Sequence, residues 1–122
     1  MPTIVHFEIP ADDPEKAIAF YREVFGWKFE SWGGPMEYWL ATTGAEGEGG
    51  INGAIMRREH PGQSPINIID VPDLDAFMDK IIALGGKQVT EKMPVPGVGW
   101  SAYAMDTEGN VFGLLQPDME AK

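Results

Sequence analysis

The sequence predicts an α+β fold made of two tandem βαβββ modules, and three observations lead there. Glu46-Gly47-Glu48-Gly49-Gly50-Ile51-Asn52-Gly53 lines up with Asp106-Thr107-Glu108-Gly109-Asn110-Val111-Phe112-Gly113, sixty residues later, acid on acid and glycine on glycine. Ile18, Tyr21 and Val24 form a stripe at helical spacing, and Met78, Ile81 and Leu84 repeat it at the same offset. Short runs of β-branched and aromatic residues, bounded by Gly and Pro, fill the rest. A chain of 122 residues with a period near 60 holds two copies of one unit and a short tail. Each copy buries one sheet face under its helix, which predicts that the other faces curve around a shared hollow, the natural place for a ligand.

Taken in order, Thr3–Ile9 reads as a strand closed by Pro10. Asp13 is placed to cap a helix that Pro14 begins and Gly26 ends. Strands follow at Trp27–Trp32, Glu37–Thr43 and Ile51–Arg57, with Gly33-Gly34-Pro35 turning the chain between the first two. The first module thus covers about residues 3–58. Residues 59–65 form a polar, proline-flanked linker. The second module, about 66–117, repeats the plan: strand Ile66–Val71, N-cap Asp73, terminal Gly86, strands Lys87–Lys92, Trp100–Asp106 and Asn110–Gln116. The Pro- and Gly-rich segment Met93–Gly99 is expected to be a loop, serving as a rim or a plain connection. Residues 118–122 are expected to fray beyond a single domain spanning 1–119.

Composition narrows the function. An apolar content of 43% supports one real core, and no apolar run approaches 18 residues. The N-terminus lacks the basic-then-apolar pattern of a secretion signal, so a cytoplasmic location is expected. Without Cys, disulfides, thiolate metal sites and Cys nucleophiles are excluded. Nineteen acids against nine bases give a formal charge of −10, which repels phosphate backbones and argues against nucleic acid as a partner. No GxSxG elbow, P-loop or strand-to-helix GxGxxG occurs.

Several stretches carry a resemblance to a known family. His6-Phe7-Glu8-Ile9-Pro10-Ala11-Asp12-Asp13-Pro14, followed by Ala19-Phe20-Tyr21-Arg22-Glu23-Val24-Phe25-Gly26-Trp27, is similar to the opening of vicinal oxygen chelate proteins. This superfamily includes glyoxalase I, the extradiol dioxygenases and the fosfomycin and bleomycin resistance proteins. The ending Asp106–Leu114, with Asp73–Ala76 and Leu84–Lys87, resembles its second half. The resemblance implies the paired-module fold and a homodimer. It also implies, for the metal-dependent members, a divalent cation held by a His-like residue from the first strand and a Glu from the last strand of each module. Carried over by position, those ligands would be His6, Ile66 (or Asn67, one residue on), Gly53 and Gly113. One donor in four remains, short of the three or so that a catalytic cation needs.

No cofactor is therefore expected. The reading that follows is a protein that binds a small molecule in the hollow without the usual metal, the acidic surface favouring a cation. His6 and Glu8, two apart on one strand and so on one face, are the catalytic candidates. Phe7, Tyr38, Trp39, Trp100 and Tyr103 are candidates for the ligand-binding wall, with Gly53 and Gly113 leaving room at its floor. Two other readings stay open: a lyase or dioxygenase-like enzyme whose metal has relocated around His6 and Glu8, and a non-catalytic partner-binding or regulatory module.

Overall fold

A computed structural model describes residues 2–34 and 36–122, so Pro35 in the expected Gly33-Gly34-Pro35 turn lies outside the described residues. The chain forms two compact units, one spanning His6–Pro65 and the other residues 2–5 with Ile66–Lys122. Each follows the βαβββ plan, the second with one additional short strand.

In the first unit, β1 (Ile4–Ala11) leads through Asp12-Asp13 into α1 (Pro14–Phe25). Asp13 is extended at φ −126°, and its carboxylate accepts the Lys16 N–H at 3.2 Å, satisfying a donor that the first helical turn would leave orphaned. Gly26 closes the helix in the left-handed region at φ 74°, donating its N–H to the Arg22 carbonyl at 2.9 Å. The chain continues through β2 (Lys28–Ser31), β3 (Tyr38–Thr42) and β4 (Gly53–Arg57). These strands order as β2-β3-β4-β1, antiparallel except where β4 meets β1 in parallel. Ala11, Ile18 and Ile55 are buried between helix and sheet, with Ile9, Tyr21, Phe29 and Trp39 packed around them.

The second unit repeats this with β5 (Ile66–Asp70), α2 (Leu74–Ala83), β6 (Lys87–Gln88), β7 (Met93–Val95), β8 (Gly99–Met105) and β9 (Val111–Pro117). β5 runs parallel to β9, β9 antiparallel to β8, and β8 carries both β6 and β7. Asp73 caps α2, accepting the Ala76 N–H at 3.1 Å. Val71, Leu74, Met78, Ala102, Ala104 and Leu114 make the buried core.

Three expectations change. Met93–Val95 is a strand on β8 rather than loop, because Met93 to Val95 pair with Ser101 to Gly99. The tail from Asp118 is docked, not frayed: Asp118 donates its N–H to Val98 O and takes the Trp100 Nε1–H at 3.2 Å, and Ala121 is buried. The left-handed residue after α2 is Gly85 at φ 99°, not Gly86. Gly86 is small for a different reason: a Cβ there would lie 2.7 Å from the Met105 carbonyl oxygen.

The repeat is also not gapless. Ile9 pairs with Ile55, whereas its counterpart Ile69 pairs with Leu114, an offset of 59 rather than 60 in the last strand. Gly113 therefore corresponds to Ala54, and Gly53 to Phe112. The glycine turns absorb the difference, the first having left-handed glycines at 47, 49 and 50 and the second only at 109.

Among the described residues, no helix is long and apolar enough to cross a membrane.

Candidate functional site

The period of two along each strand sorts the first unit's side chains onto two faces. Phe7, Ile9, Trp39, Gly53 and Ile55 share the face under α1, fixed by the pairs Phe7–Gly53, Ile9–Ile55 and Trp39–Ile55 and by the α1 core. The alternate residues His6, Glu8, Tyr38, Leu40, Ala54 and Met56 share the other face.

This separates the residues that the sequence grouped. Phe7 packs against Trp27, centroids 5.8 Å apart, and Trp27 stacks on Tyr21 of α1 at 4.9 Å. Phe7 also occupies the space a Gly53 side chain would take, since a Cβ there would fall 2.4 Å from its ring. Gly53 thus accommodates Phe7 under the helix and leaves no room at the His6 face. Trp39 belongs to the same helix-side layer. In the second unit, Trp100 packs with the α2 core, while Tyr103 and Gly113 pair on the opposite face, Tyr103 within 3.4 Å of a Gly113 Cβ.

His6 and Glu8 do come together, and Tyr38 is what joins them. The Tyr38 hydroxyl donates to Glu8 Oε2 at 2.8 Å and lies 2.8 Å from His6 Nε2. To do so Tyr38 reaches from β3 across β4 to β1. On β4 between them, Met56 pairs with Tyr38 and Ala54 with Glu8, and both are buried. Glu8 is the one buried charged residue identified, 6% exposed, and such burial requires a hydrogen-bonded partner. Burial lowers the His6 pKa below its ordinary 6.5, and the nearby Glu8 charge opposes part of that shift. His6 is thus disposed to be a neutral ring above that range.

Trp32 completes the row, and the sequence reading left it out. Its ring lies 5.6 Å from Tyr38, and Tyr38 stacks at 10° to His6 at 6.4 Å. Trp32 remains 46% exposed. Its backbone N–H donates to the Tyr38 carbonyl, so the β2–β3 pairing holds it there.

The divalent cation that the resemblance implies for metal-dependent members does not fit these residues. Ala54, the last-strand residue beside Glu8, has no donor, and neither do Ile66 or Gly113. Asn67 alternates to the face opposite Ile66. Among the described residues no group of three or more His, Asp or Glu side chains gathers at metal-binding distance. Tyr38 already engages His6 Nε2 and Glu8 Oε2.

A cavity of about 420 Å³ lies elsewhere in this unit, walled by Asp12, Asp13, Glu15, Glu37, Trp39 and Arg57. Several of its polar groups are committed to structure. Asp13 caps α1, Glu37 pairs with Arg57 through two hydrogen bonds, and the Arg57 Nη1–H donates to the Asp12 carbonyl at 2.8 Å.

Comparison with known proteins agrees with this fold. Residues 3–44 match the family described as bleomycin resistance protein-like N-terminal. A glyoxylase-like domain-containing protein of Didymella fabae is 31% identical over 114 residues, 88% of each chain. The chain therefore belongs to the vicinal oxygen chelate superfamily of glyoxalase and bleomycin-resistance-like proteins. The putative glyoxylase CFP32 of Mycobacterium bovis is also 31% identical, over 94% of this chain, which spans 44% of that longer protein. Among solved structures, the methylmalonyl-CoA epimerase of Mycobacterium tuberculosis superposes with a TM-score of 0.70 at 16% identity, covering 93% of this chain and 87% of its own. A glyoxalase/bleomycin resistance protein/dioxygenase superfamily member from Vibrio splendidus 12B01 gives 0.69 at 16%, covering 97% and 100%. At these identities the two structures bear on the fold alone.

Proposed function

We propose that this protein binds a small organic molecule against the sheet face bearing His6, Tyr38 and Trp32, and does so without the superfamily's metal. The observation that carries the reading is the hydrogen-bonded set of His6, Tyr38 and buried Glu8 on the face that α1 does not cover. Burying a carboxylate is costly, and a fold bears that cost most readily where the group orients another. Half-exposed Trp32 beside this set offers an aromatic surface to a ligand. The net charge of −10 supports a neutral or cationic ligand over an anionic one. A homodimer, in a cytoplasmic setting, is part of the same reading.

The geometry favours one variation on it, in which His6 acts as a general base on the bound molecule. A half-buried imidazole held by a hydroxyl and a carboxylate is equipped for proton transfer. A relocated-metal enzyme is less well supported, because His6 and Glu8 offer two donors.

A thermal-shift screen of small metabolites and cationic antibiotics on chelator-treated protein tests the proposal. A ligand at 100 times its Kd adds about 2.7 kcal/mol to stability, and His6→Ala should abolish that gain. A screen in which no compound raises Tm would remove the ligand-binding reading and leave the partner-binding module. Stoichiometric metal in protein purified without chelator, lost in His6→Ala, would overturn the metal-free part. Light scattering of the purified protein reports the dimer.

A further inference from the structure

The hydrogen-bonded set has a direction, and the direction selects the ligand. A Tyr hydroxyl carries one proton, and a carboxylate has lone pairs only. Tyr38 spends its proton on Glu8 Oε2. The 2.8 Å contact between His6 Nε2 and the Tyr38 oxygen must then be donated by the imidazole. In the neutral ring this places the proton on Nε2 and the lone pair on Nδ1. Tyr38 is the hydrogen-bonding partner that the described residues supply to His6, and it takes the Nε2 side.

We infer that Tyr38, backed by Glu8, is a positioning residue that holds His6 in the Nε2–H tautomer, so that the site accepts molecules presenting an O–H or N–H donor to Nδ1. This rests on the small-molecule reading above and names its ligand class. A carboxylate or phosphate would bring lone pairs against a lone pair and is selected against. Glu8 is needed because it decides which way Tyr38 points. Glu8→Leu takes away Oε2, the acceptor that turns the Tyr38 proton away from His6, so the imidazole proton should move from Nε2 to Nδ1.

Long-range ¹H–¹⁵N spectra of the His6 ring in ¹⁵N-labelled protein test this directly, with His60 assigned by substitution. In the wild type at pH 7.5 the proton should reside on Nε2. In Glu8→Leu it should move to Nδ1. In Tyr38→Phe, which keeps the ring and loses only the oxygen, the two tautomers should exchange and average. A wild-type proton on Nδ1, or one that stays on Nε2 in Glu8→Leu, overturns the inference. A matched pair of probes, phenol and anisole, then tests the ligand class. Phenol should shift the His6 Nδ1 signal and bind several-fold more tightly than anisole, which lacks the donor. Equal binding of both at His6 overturns the ligand class while leaving small-molecule binding standing. A His6 and Trp32 pair that responds to neither probe counts against the binding reading itself.

Discussion

Replacing Tyr38 with Phe removes the oxygen that hydrogen-bonds to both Glu8 and His6. Glu8 Oε2 loses a donor at 2.8 Å, and His6 Nε2 loses its partner at the same distance. A hydrogen bond to a charged group is worth about 1.5–3 kcal/mol net, and one between neutral groups about 1 kcal/mol. Glu8 is 6% exposed, so water is poorly placed to replace the hydroxyl. Packing is conserved because the ring remains against Trp32 and His6. The substitution should therefore cost on the order of 3 kcal/mol. For a chain of this length that lowers Tm by roughly 10 °C. Urea unfolding should show the loss as a lower midpoint at unchanged slope. A double-mutant cycle sharpens the test. Glu8→Leu removes the charged acceptor, so Tyr38→Phe in that background no longer breaks a hydrogen bond to a carboxylate and should cost about 1–2 kcal/mol less. A Tyr38→Phe variant within 0.5 kcal/mol of wild type would refute the claim that these three residues act as one unit, and so would strict additivity in the cycle.

Further predictions concern the layers on either side of that face. Gly53→Ala pushes a Cβ to 2.4 Å from the Phe7 ring and should destabilise by about 1–3 kcal/mol, read by thermal unfolding, while leaving the His6 spectrum in place. Removing residues 118–122 strips Trp100 of its acceptor and Val98 and Gly97 of backbone partners, and should cost about 2 kcal/mol; no change in unfolding midpoint would contradict the docked tail. His6 has a lower pKa folded than its ordinary 6.5, so as pH falls the unfolded chain binds the proton first. Its contribution to stability is complete above about pH 6.5 and is lost as pH falls through the lower folded value. Urea midpoints from pH 8 to 5 should drop more steeply in wild type than in His6→Gln.

Much of this architecture could be read from residues alone, since caps and stripes are local. Asp13, Pro14 and Gly26 bound α1 as their chemistry requires, and Asp73 does the same for α2. What could not be read is register. Aligning Gly53 with Gly113 ignores one residue taken up in the glycine turns, and a slip of one residue exchanges the faces of a strand. That is why Gly53 proves to sit under the helix with Phe7, while Ala54 holds the place beside Glu8. The pairing of His6 with Glu8 was legible from their spacing of two. Tyr38 as their link was not, because it depends on the strand order that sets β4 between β3 and β1. The strand at Met93–Val95 was hidden by its proline, which an edge position tolerates.

The central claim is that a small molecule binds at the His6 face without a metal. Amide and side-chain shift mapping of a thermal-shift hit on chelator-treated, ¹⁵N-labelled protein tests it most directly. The perturbed signals should centre on His6, Glu8, Trp32 and Tyr38 with no metal added. Perturbations confined to the cavity at Asp12, Trp39 and Arg57, or binding restored only by a divalent cation, would contradict it.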